Sequence, residues 1–381
     1  MISVLPFAVI VRGGLALGAG HSLVLKSGGS VWATGVNMFG QLGIELKTDS
    51  INNFVKILPR AAIAVAAGDF HSMVLKQGGS VWAAGKNKYG QVGDGSNTDR
   101  HIFVQVTLSY GKAIAAGAKH SLVVMRDGSL WTTGYNQYGQ LGDGSTIHES
   151  KFKQVISSGV EAAAGGGEHS IVLKEDGSVW MAGLSAMNHQ GGKSSEIRTE
   201  FLQVIAFGAS AVAAGAYHSL VLKQGGSVWA TGENGYGQLG DGSANLRSTF
   251  TQVLDGGVMA ISAGSYHSMV LKSDSTMWST GRNNFGQLGR KLPITFRSTF
   301  EQVLVGVVFI AGGDAHSMVL KQDGTLCAAG GNSYGQLGDG STSQKSAFVR
   351  VALPRDGACA CCCESWCLFC GMFSSTPLQV M

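Results

Sequence analysis

The chain has 381 residues, of which 14% are charged and 57 are glycine, against only 5 prolines. This low charge and high glycine share indicate a body built from turns and backbone-paired strands. A formal net charge of +4 without any run of Lys or Arg argues against a nucleic-acid-binding surface, and no apolar stretch approaches the ~20 residues of a membrane-spanning helix.

A repeat of about 49 residues runs through nearly the whole chain. Its most regular marker is the pair His-Ser, which is 50 residues from the first copy to the second and 49 residues at every later step. The histidines are His21, His71, His120, His169, His218, His267 and His316. A second marker, the octapeptide YGQLGDGS, occupies 138–145, 236–243 and 334–341. The sequence therefore predicts seven units, within a repeat body of residues 12–354.

Each unit contains four strand-length apolar segments, which in the fifth unit read SAVAAG, HSLVLK, SVWATG and FTQV. The second segment is apolar on both faces, so its sheet must be covered on both sides. Pairs such as Gly28-Gly29 and Asp127-Gly128 separate the second and third segments and are typical of tight hairpins. We predict an all-β fold in which seven four-stranded antiparallel blades close into a β-propeller. The period alone also allows an open solenoid.

The octapeptide is interpreted as the corner between the third and fourth strands of a blade. Its glycines allow the chain to reverse where a Cβ would clash. Tyr138 and Leu141 are predicted to fill the gap between neighbouring blades, and Gln140 to bond loop carbonyls. The corner is altered in the first and sixth units and lost in the fourth, which reads LSAMNHQGGKS.

The His-Ser pairs were weighed as a catalytic nucleophile and base. Adjacent strand residues point to opposite faces, no acid recurs beside them, and an active site is not normally copied seven times. We therefore predict that the histidines satisfy loop backbone groups and that the chain is not an enzyme. No phosphate-binding or dinucleotide motif occurs, so no cofactor is expected.

The combined pattern A-A-G-x-x-H-S-x-V-L and S-V-W-A-T-G-x-N-x-Y-G-Q-L-G resembles the repeat of the regulator of chromosome condensation family. The resemblance covers about residues 12–351 and implies a seven-bladed propeller. It implies less about function, because the family includes an exchange factor for the small GTPase Ran, a plant ultraviolet-B receptor, propellers joined to HECT-type ubiquitin ligase domains, and bacterial β-lactamase inhibitors.

The sequence lacks the features that the resemblance associates with several of these functions. Family exchange factors are similar to a propeller with an inserted hairpin wedge and a basic N-terminal tail, whereas the even spacing here leaves no room for a wedge and residues 1–11 contain no basic residue. Asp69 and Asp314 are the candidates for displacing a nucleotide's cation. The photoreceptor's Gly-Trp-Arg-His-Thr pattern is missing. The tryptophans lie on third strands, such as Trp82 and Trp131, and are predicted to pack between blades.

The units differ most at the two positions before each His and at those flanking Asn in G-x-N-x. Both sets are expected at one rim of the propeller, where aromatic and charged anchors indicate a protein-binding surface. The predicted residues are Asp69, Phe70, Lys86, Lys88, Lys119, Tyr135, Glu168, Tyr217, Glu233, Tyr266, Arg282 and Asp314. The alternative is neutral drift of loop residues. The predicted function is a non-enzymatic interaction scaffold or adaptor, and the sequence does not name its partner, because loops rather than repeats carry that identity. The alternative is a guanine nucleotide exchange factor or regulator of a Ran-like small GTPase.

The two ends of the chain depart from the repeat. Residues 1–11 are faintly similar to a secretory signal but lack a basic start; they, or residues 348–351, are candidates for the outer strand of the last blade. Residues 355–381 hold six of the seven cysteines and are predicted to be a disordered tail. Cys361, Cys362 and Cys363 are candidates for S-acylation; zinc binding by Cys363, Cys367 and Cys370, and no function at all, are the alternatives. We expect a monomeric ring in the cytoplasm or nucleus, peripheral to a membrane if the tail is acylated.

Overall fold

The computed structural model describes residues 14–46, 48–106, 109–184, 197–291 and 294–354. Within these ranges all regular secondary structure is β, in seven four-stranded antiparallel sheets. The predicted all-β, seven-bladed propeller is therefore confirmed. The described part of the chain contains no helix with the length and apolar character needed to cross a bilayer.

The strands follow the repeat in strict order, four to a blade. Blade 1 holds β1 (Gly14–Leu17), β2 (His21–Leu25), β3 (Val31–Val36) and β4 (Ser50–Leu58). Blade 2 holds β5 (Ala62–Ala67), β6 (His71–Lys76), β7 (Val81–Gly85) and β8 (Arg100–Gln105). Blade 3 holds β9 (Gly111–Ala116), β10 (His120–Met125), β11 (Leu130–Gly134) and β12 (Glu149–Ile156). Blade 4 holds β13 (Val160–Gly165), β14 (His169–Lys174), β15 (Val179–Leu184) and β16 (Ile197–Ile205).

The remaining three blades repeat this arrangement. Blade 5 holds β17 (Ala209–Ala214), β18 (His218–Lys223), β19 (Val228–Gly232) and β20 (Arg247–Leu254). Blade 6 holds β21 (Val258–Ala263), β22 (His267–Lys272), β23 (Met277–Arg282) and β24 (Phe296–Leu304). Blade 7 holds β25 (Val307–Gly312), β26 (His316–Lys321), β27 (Leu326–Gly330) and β28 (Lys345–Val351).

The ring closes by packing of blade 7 against blade 1. Each first strand contacts the first strands of its neighbours, and β1 contacts β25, which excludes the open solenoid. The outer position of blade 7 is filled by β28, in which Val351 pairs with Leu326 of β27. The two ends of the described part, residues 14 and 354, therefore lie at the boundary between blades 7 and 1. The N-terminal segment 1–11 and the cysteine-rich tail 355–381 lie outside the described residues.

The second strand of every blade is almost entirely buried. Leu23, Leu122 and Leu220 are wholly inaccessible to solvent, because both faces of every sheet pack against a neighbouring blade. The tryptophans lie at the margin of these interfaces. The Lys76 ammonium, for example, is 3.5 Å from the centroid of the Trp82 ring, a cation–π contact that covers the outer face of the indole.

The octapeptide corner joins each blade to the next. In blade 3, Gly139, Gly142 and Gly144 all have positive φ, as predicted. A Cβ on Gly142 would lie 2.3 Å from the Phe201 ring of blade 4, and the Gly144 amide donates to the Thr199 carbonyl of blade 4 at 2.9 Å. The corner thus holds the outer strand of the following blade.

Two corner side chains differ from their predicted roles. Leu141 is fully buried, but Tyr138 is half-buried and lies at the rim beside Tyr135. Gln140 does not bond loop carbonyls; its Oε1 accepts from the Tyr138 amide at 3.1 Å. The loop is organised instead by Asn136, whose Oδ1 accepts from the Leu141 amide and whose Nδ2 donates to Asp143 Oδ1.

The histidines form a closed ring of hydrogen bonds rather than binding loop backbone groups. His71 Nε2 lies 2.9 Å from Ser121 Oγ of the next blade, and Ser121 donates its own proton to the Gln91 carbonyl at 2.7 Å. The serine therefore accepts from His71, which fixes the imidazole proton on Nε2. The same contact recurs at all seven seams, with lengths of 2.8 to 2.9 Å.

Glycine completes the environment of each histidine. A Cβ on Gly68 would lie 2.2 Å from His71 Cε1, which explains the glycine three residues before every histidine of the repeat. Burial lowers the pKa of His71 to about 4, and burial together with the neighbouring His71 lowers the pKa of His21 to about 3. The ring is uncharged at neutral pH.

A candidate protein-binding rim

The turn between the first two strands and the loop after the third strand emerge at the same end of each blade. One backbone hydrogen bond joins them, from the amide after the third-strand glycine to the carbonyl before the histidine. It runs from Lys86 to Phe70 at 2.8 Å and from Tyr135 to Lys119 at 2.9 Å. The twelve predicted residues therefore lie around one end of the propeller, which we call the rim.

Aromatic rings backed by lysines occupy the rim at blades 1 and 2. The rings of Phe39 and Phe70 meet edge to face with centroids 5.4 Å apart. The Lys86 ammonium lies 4.5 Å from the Phe39 centroid and 5.4 Å from that of Phe70. This lysine therefore bridges two neighbouring blades by cation–π contacts.

A second basic group spans blades 2 and 3. The ring centroids of Tyr89 and Tyr135 are 4.8 Å apart, and the His148 ring meets Tyr89 edge to face and lies tilted over Tyr135. The Lys119 ammonium lies 5.2 Å from the Tyr135 ring, and that of Lys88 lies 5.7 Å from the Tyr89 ring. Blades 1 to 3 thus present aromatic surface with positive charge.

Blades 4 to 6 carry tyrosines among carboxylates. Tyr266 lies 6.1 Å from Tyr217 and 5.6 Å from Tyr236, measured between ring centroids. The Arg282 guanidinium lies over Tyr236 at 5.2 Å and over Tyr266 at 5.8 Å. Burial, followed by the charges of Glu168 and other neighbours, raises the pKa of Tyr217 to about 12, so this phenol stays protonated at every physiological pH.

Several rim residues were not predicted. Phe39, Tyr89, Tyr236 and Phe285 contact predicted residues, yet they belong to the aromatic position of the octapeptide. Tyr334 occupies the same position in blade 7 and is 46% exposed. This position is aromatic in most units, so a search for positions that vary between units did not select it. Its alternation between Tyr and Phe could have identified it, because a phenol hydroxyl is placed more easily at a surface than in a fully buried packing position.

Asp69 and Asp314 lie on the inner side of the rim, where the turns surround the propeller axis. They line an axial cavity of about 150 Å³ whose other lining residues are mostly glycine and alanine. Burial raises the pKa of Asp69 to about 6; the Asp314 carboxylate adds to the rise, and Lys119 and Lys86 oppose it. The predicted residues thus form an outer ring and an inner acidic pair.

The described residues contain no group of three or more His, Cys, Asp or Glu side chains that would hold a metal ion. The candidate acylation residues Cys361, Cys362 and Cys363, and the alternative zinc ligands, lie outside the described residues. Cys327, which replaces the repeat's tryptophan, is buried and unbridged, and burial raises the pKa of its thiol.

Three solved structures from different organisms are similar in fold to this chain. Prp20p from Saccharomyces cerevisiae matches with a TM-score of 0.76 at 20% identity, over 89% of this chain and 88% of that one. Human WBSCR16 matches with a TM-score of 0.53 at 20% identity, over 89% and 81%. The ectodomain of the Physcomitrella patens receptor kinase CR4 matches with a TM-score of 0.53 at 14% identity, over 84% and 73%. At these identities the likeness concerns the fold.

No curated protein matches the chain in sequence. Two family models described as the regulator of chromosome condensation (RCC1) repeat do match it. One matches residues 62–91, 112–140, 209–238, 259–287 and 307–336, and the other matches 28–75, 78–124, 127–173 and 225–271. Together they cover well over half of the sequence, and every match falls within the propeller. The chain belongs to the RCC1 repeat family.

Proposed function

We propose that this chain is a protein-interaction module whose partner docks on the rim. The observation that carries the proposal is the cluster of Tyr217, Tyr236, Tyr266 and Arg282, whose half-buried rings are held at 5.2 to 6.1 Å from one another or from the guanidinium. Tyrosine and arginine are the residues that most often dominate binding energy at protein interfaces. Rings already fixed by their neighbours lose little conformational entropy on binding.

The distribution of charge supports a partner with two differently charged regions. Lys86, Lys88 and Lys119 belong to blades 2 and 3, whereas Glu168 and Glu233 belong to blades 4 and 5. Such separation orients an approaching partner and disfavours partners of uniform charge. The rim is thus suited to one docking orientation.

A second candidate function is regulation of a small GTPase by nucleotide exchange, which the family resemblance raises. The structure of Prp20p was reported together with its binding to Gsp1p and histones. Against this function, every strand in the described ranges of the present chain belongs to one of the seven blades, so those ranges contain no additional hairpin wedge. The rate of GDP release from purified Ran, measured with and without the full chain, tests this candidate.

The rim proposal is tested by comparing partners captured by the full chain and by two triple variants. The rim variant carries Phe70→Ser, Tyr217→Ser and Tyr266→Ser. The control carries Tyr110→Ser, Phe207→Ser and Val305→Ser, which remove exposed apolar side chains from loops at the opposite end. We expect a partner that is retained by the wild type and the control and lost from the rim variant. Equal capture by all three folded proteins would refute rim docking.

A further inference from the structure

The axial cavity lies at the centre of the rim and is enclosed by the seven turns that follow the first strands. Its volume is about 150 Å³, enough for the end of one long side chain but not for a folded element. Methyl groups of Ala19, Ala118 and Ala216 contribute to its wall, and Asp69 and Asp314 contribute its two carboxylates. The cavity therefore combines a narrow wall of glycine and alanine turns, with much exposed backbone, and two carboxylates, of which Asp69 is partly buried and Asp314 is exposed.

The backbone of these turns offers acceptors rather than donors. The amide of Asp69 donates to the Ala118 carbonyl at 3.1 Å, and the amide of Asp314 donates to the Gly18 carbonyl at 3.2 Å. Equivalent bonds engage the amides of residues 19, 118, 167, 216 and 265, each with the neighbouring blade. Because these seven N–H groups are used, while each carbonyl keeps a second lone pair, the mouth favours a ligand that donates hydrogen bonds.

The two carboxylates have no counterion of their own. Among the described residues, no hydrogen bond or ion pair reaches the side chain of Asp69 or Asp314. Two cations, Lys86 and Lys119, act on the charge of Asp69, and both lie over aromatic rings of the rim. Burial and the nearby Asp314 carboxylate both disfavour the charged form of Asp69 and so raise its pKa.

We propose that the axial cavity receives the side chain of one lysine or arginine from a protein partner. This inference rests on the proposed docking of a partner at the rim. The ammonium or guanidinium group would neutralise Asp69 and Asp314 and donate to the turn carbonyls, while its aliphatic stem would contact the alanine methyl groups. An inorganic cation would share the two carboxylates and the turn carbonyls but would gain nothing from the alanine methyl groups, which only an aliphatic stem contacts.

The test uses pentapeptides with the sequence Gly-Gly-X-Gly-Gly, capped at both ends, in which X is lysine, arginine or norleucine. Binding to the full chain is followed by NMR titration at pH ~7.5, above the raised pKa of Asp69. The pocket variant is Asp69→Asn with Asp314→Asn. The control, Asp127→Asn with Asp176→Asn, makes the same change of charge in hairpin turns at the opposite end. Calcium and potassium chloride serve as competitors.

We expect the lysine or arginine peptide to bind the wild type and the control, the norleucine peptide not to bind, and the pocket variant to bind at least about tenfold more weakly. Binding to the wild type should also weaken as the pH falls through about 6, where Asp69 gains its proton against the opposing charges of Lys119 and Lys86. Equal affinity for norleucine, equal binding by the pocket variant, or displacement by stoichiometric calcium or potassium would each overturn the proposal.

The outcome is separable from that of the proposed function. A partner that is lost from the aromatic rim variant but is bound equally by the pocket variant would leave rim docking intact and overturn the axial site. Peptide binding that requires Asp69 and Asp314, in a chain that captures no rim-dependent partner, would support the axial site and overturn rim docking by a folded protein.

Discussion

Acidification should unfold this protein through its ring of buried histidines. Burial lowers the pKa of His21, His120, His218 and His316 to about 3 and that of His71, His169 and His267 to about 4. In the unfolded chain the histidine pKa is ~6.5, so the unfolded state binds more protons below that pH. The stabilising contribution is present above pH ~6.5 and is lost progressively down to pH ~4.

The size of the effect follows from proton linkage. At pH ~5.5, each unfolded histidine gains about 1.4 kcal/mol from protonation that the folded form does not share, so seven lower the free energy of unfolding by about 10 kcal/mol. Asp69, whose pKa is raised to about 6, changes in the opposite direction and returns about 1 kcal/mol. The net loss is comparable to the whole stability of a typical domain, 5–15 kcal/mol.

The measurement is urea unfolding, followed by tryptophan fluorescence, in steps from pH ~7.5 to pH ~5.5. The slope of unfolding free energy against pH, divided by 2.303RT, counts the protons taken up on unfolding. Near pH ~5.5 it should be about five to six, because the seven histidines take up about six protons and Asp69 releases about one. His120→Gln should reduce that number by about one, and His101→Gln, at an exposed position of the outer strand of blade 2, serves as the matched control. A total fall of less than about 2 kcal/mol would refute the reasoning, because the histidines would then titrate alike in both states.

Two substitutions test contacts between blades, and a third tests a contact within the corner of blade 3. Gly142→Ala should lower stability by about 2 kcal/mol or more in urea unfolding, because it strains a positive φ and drives a Cβ into Phe201; Gly28→Ala, whose Cβ meets nothing within 4 Å, should change stability little. Ser121→Ala should cost about 1–3 kcal/mol, since it leaves buried His71 and the Gln91 carbonyl without their partner; an unchanged denaturation midpoint would contradict this. Burial raises the pKa of Asp143, but hydrogen bonds from Lys153, Ser145 and Asn136 outweigh burial and hold that pKa below its usual range. Asp143→Asn should therefore lower the melting temperature at pH ~7 and make stability less sensitive to acid. A difference in melting temperature between variant and wild type that is as large at pH ~3 as at pH ~7 would contradict this role.

The repeat predicted the blades because each blade is built from consecutive residues, so a local pattern of strands and turns contains all the information needed. Contacts between blades were harder to predict. The bond between His71 and Ser121 joins residues 50 positions apart, and only the rotation from one blade to the next brings them together. The period reveals that both residues recur but not that they face each other.

At the candidate site, too, the sequence indicates which residues lie in a turn but not which residues of other blades they contact. That Asp69 and Phe70 are variable turn residues was readable from the sequence. That Asp69 lines the axis while Phe70 contacts Phe39 of the preceding blade depends on the tilt of the strands around the ring. The predicted set consequently mixed an inner pair of carboxylates with an outer aromatic ring, and it left out aromatic residues that looked purely structural.

The interface between blade 7 and blade 1 is not crossed by the described chain, yet it has the same hydrogen bonds as the interfaces between consecutive blades. His316 Nε2 lies 2.9 Å from Ser22 Oγ, and Asn53 pairs with Asp339 as Glu200 pairs with Asp143. The blade at which the chain starts is therefore not distinguished from the others by its contacts with its neighbours. A circular permutant that joins residue 354 to residue 14 through a short linker and opens the chain between blades 3 and 4 should assemble the same propeller, with its new ends at a boundary equivalent to the old one.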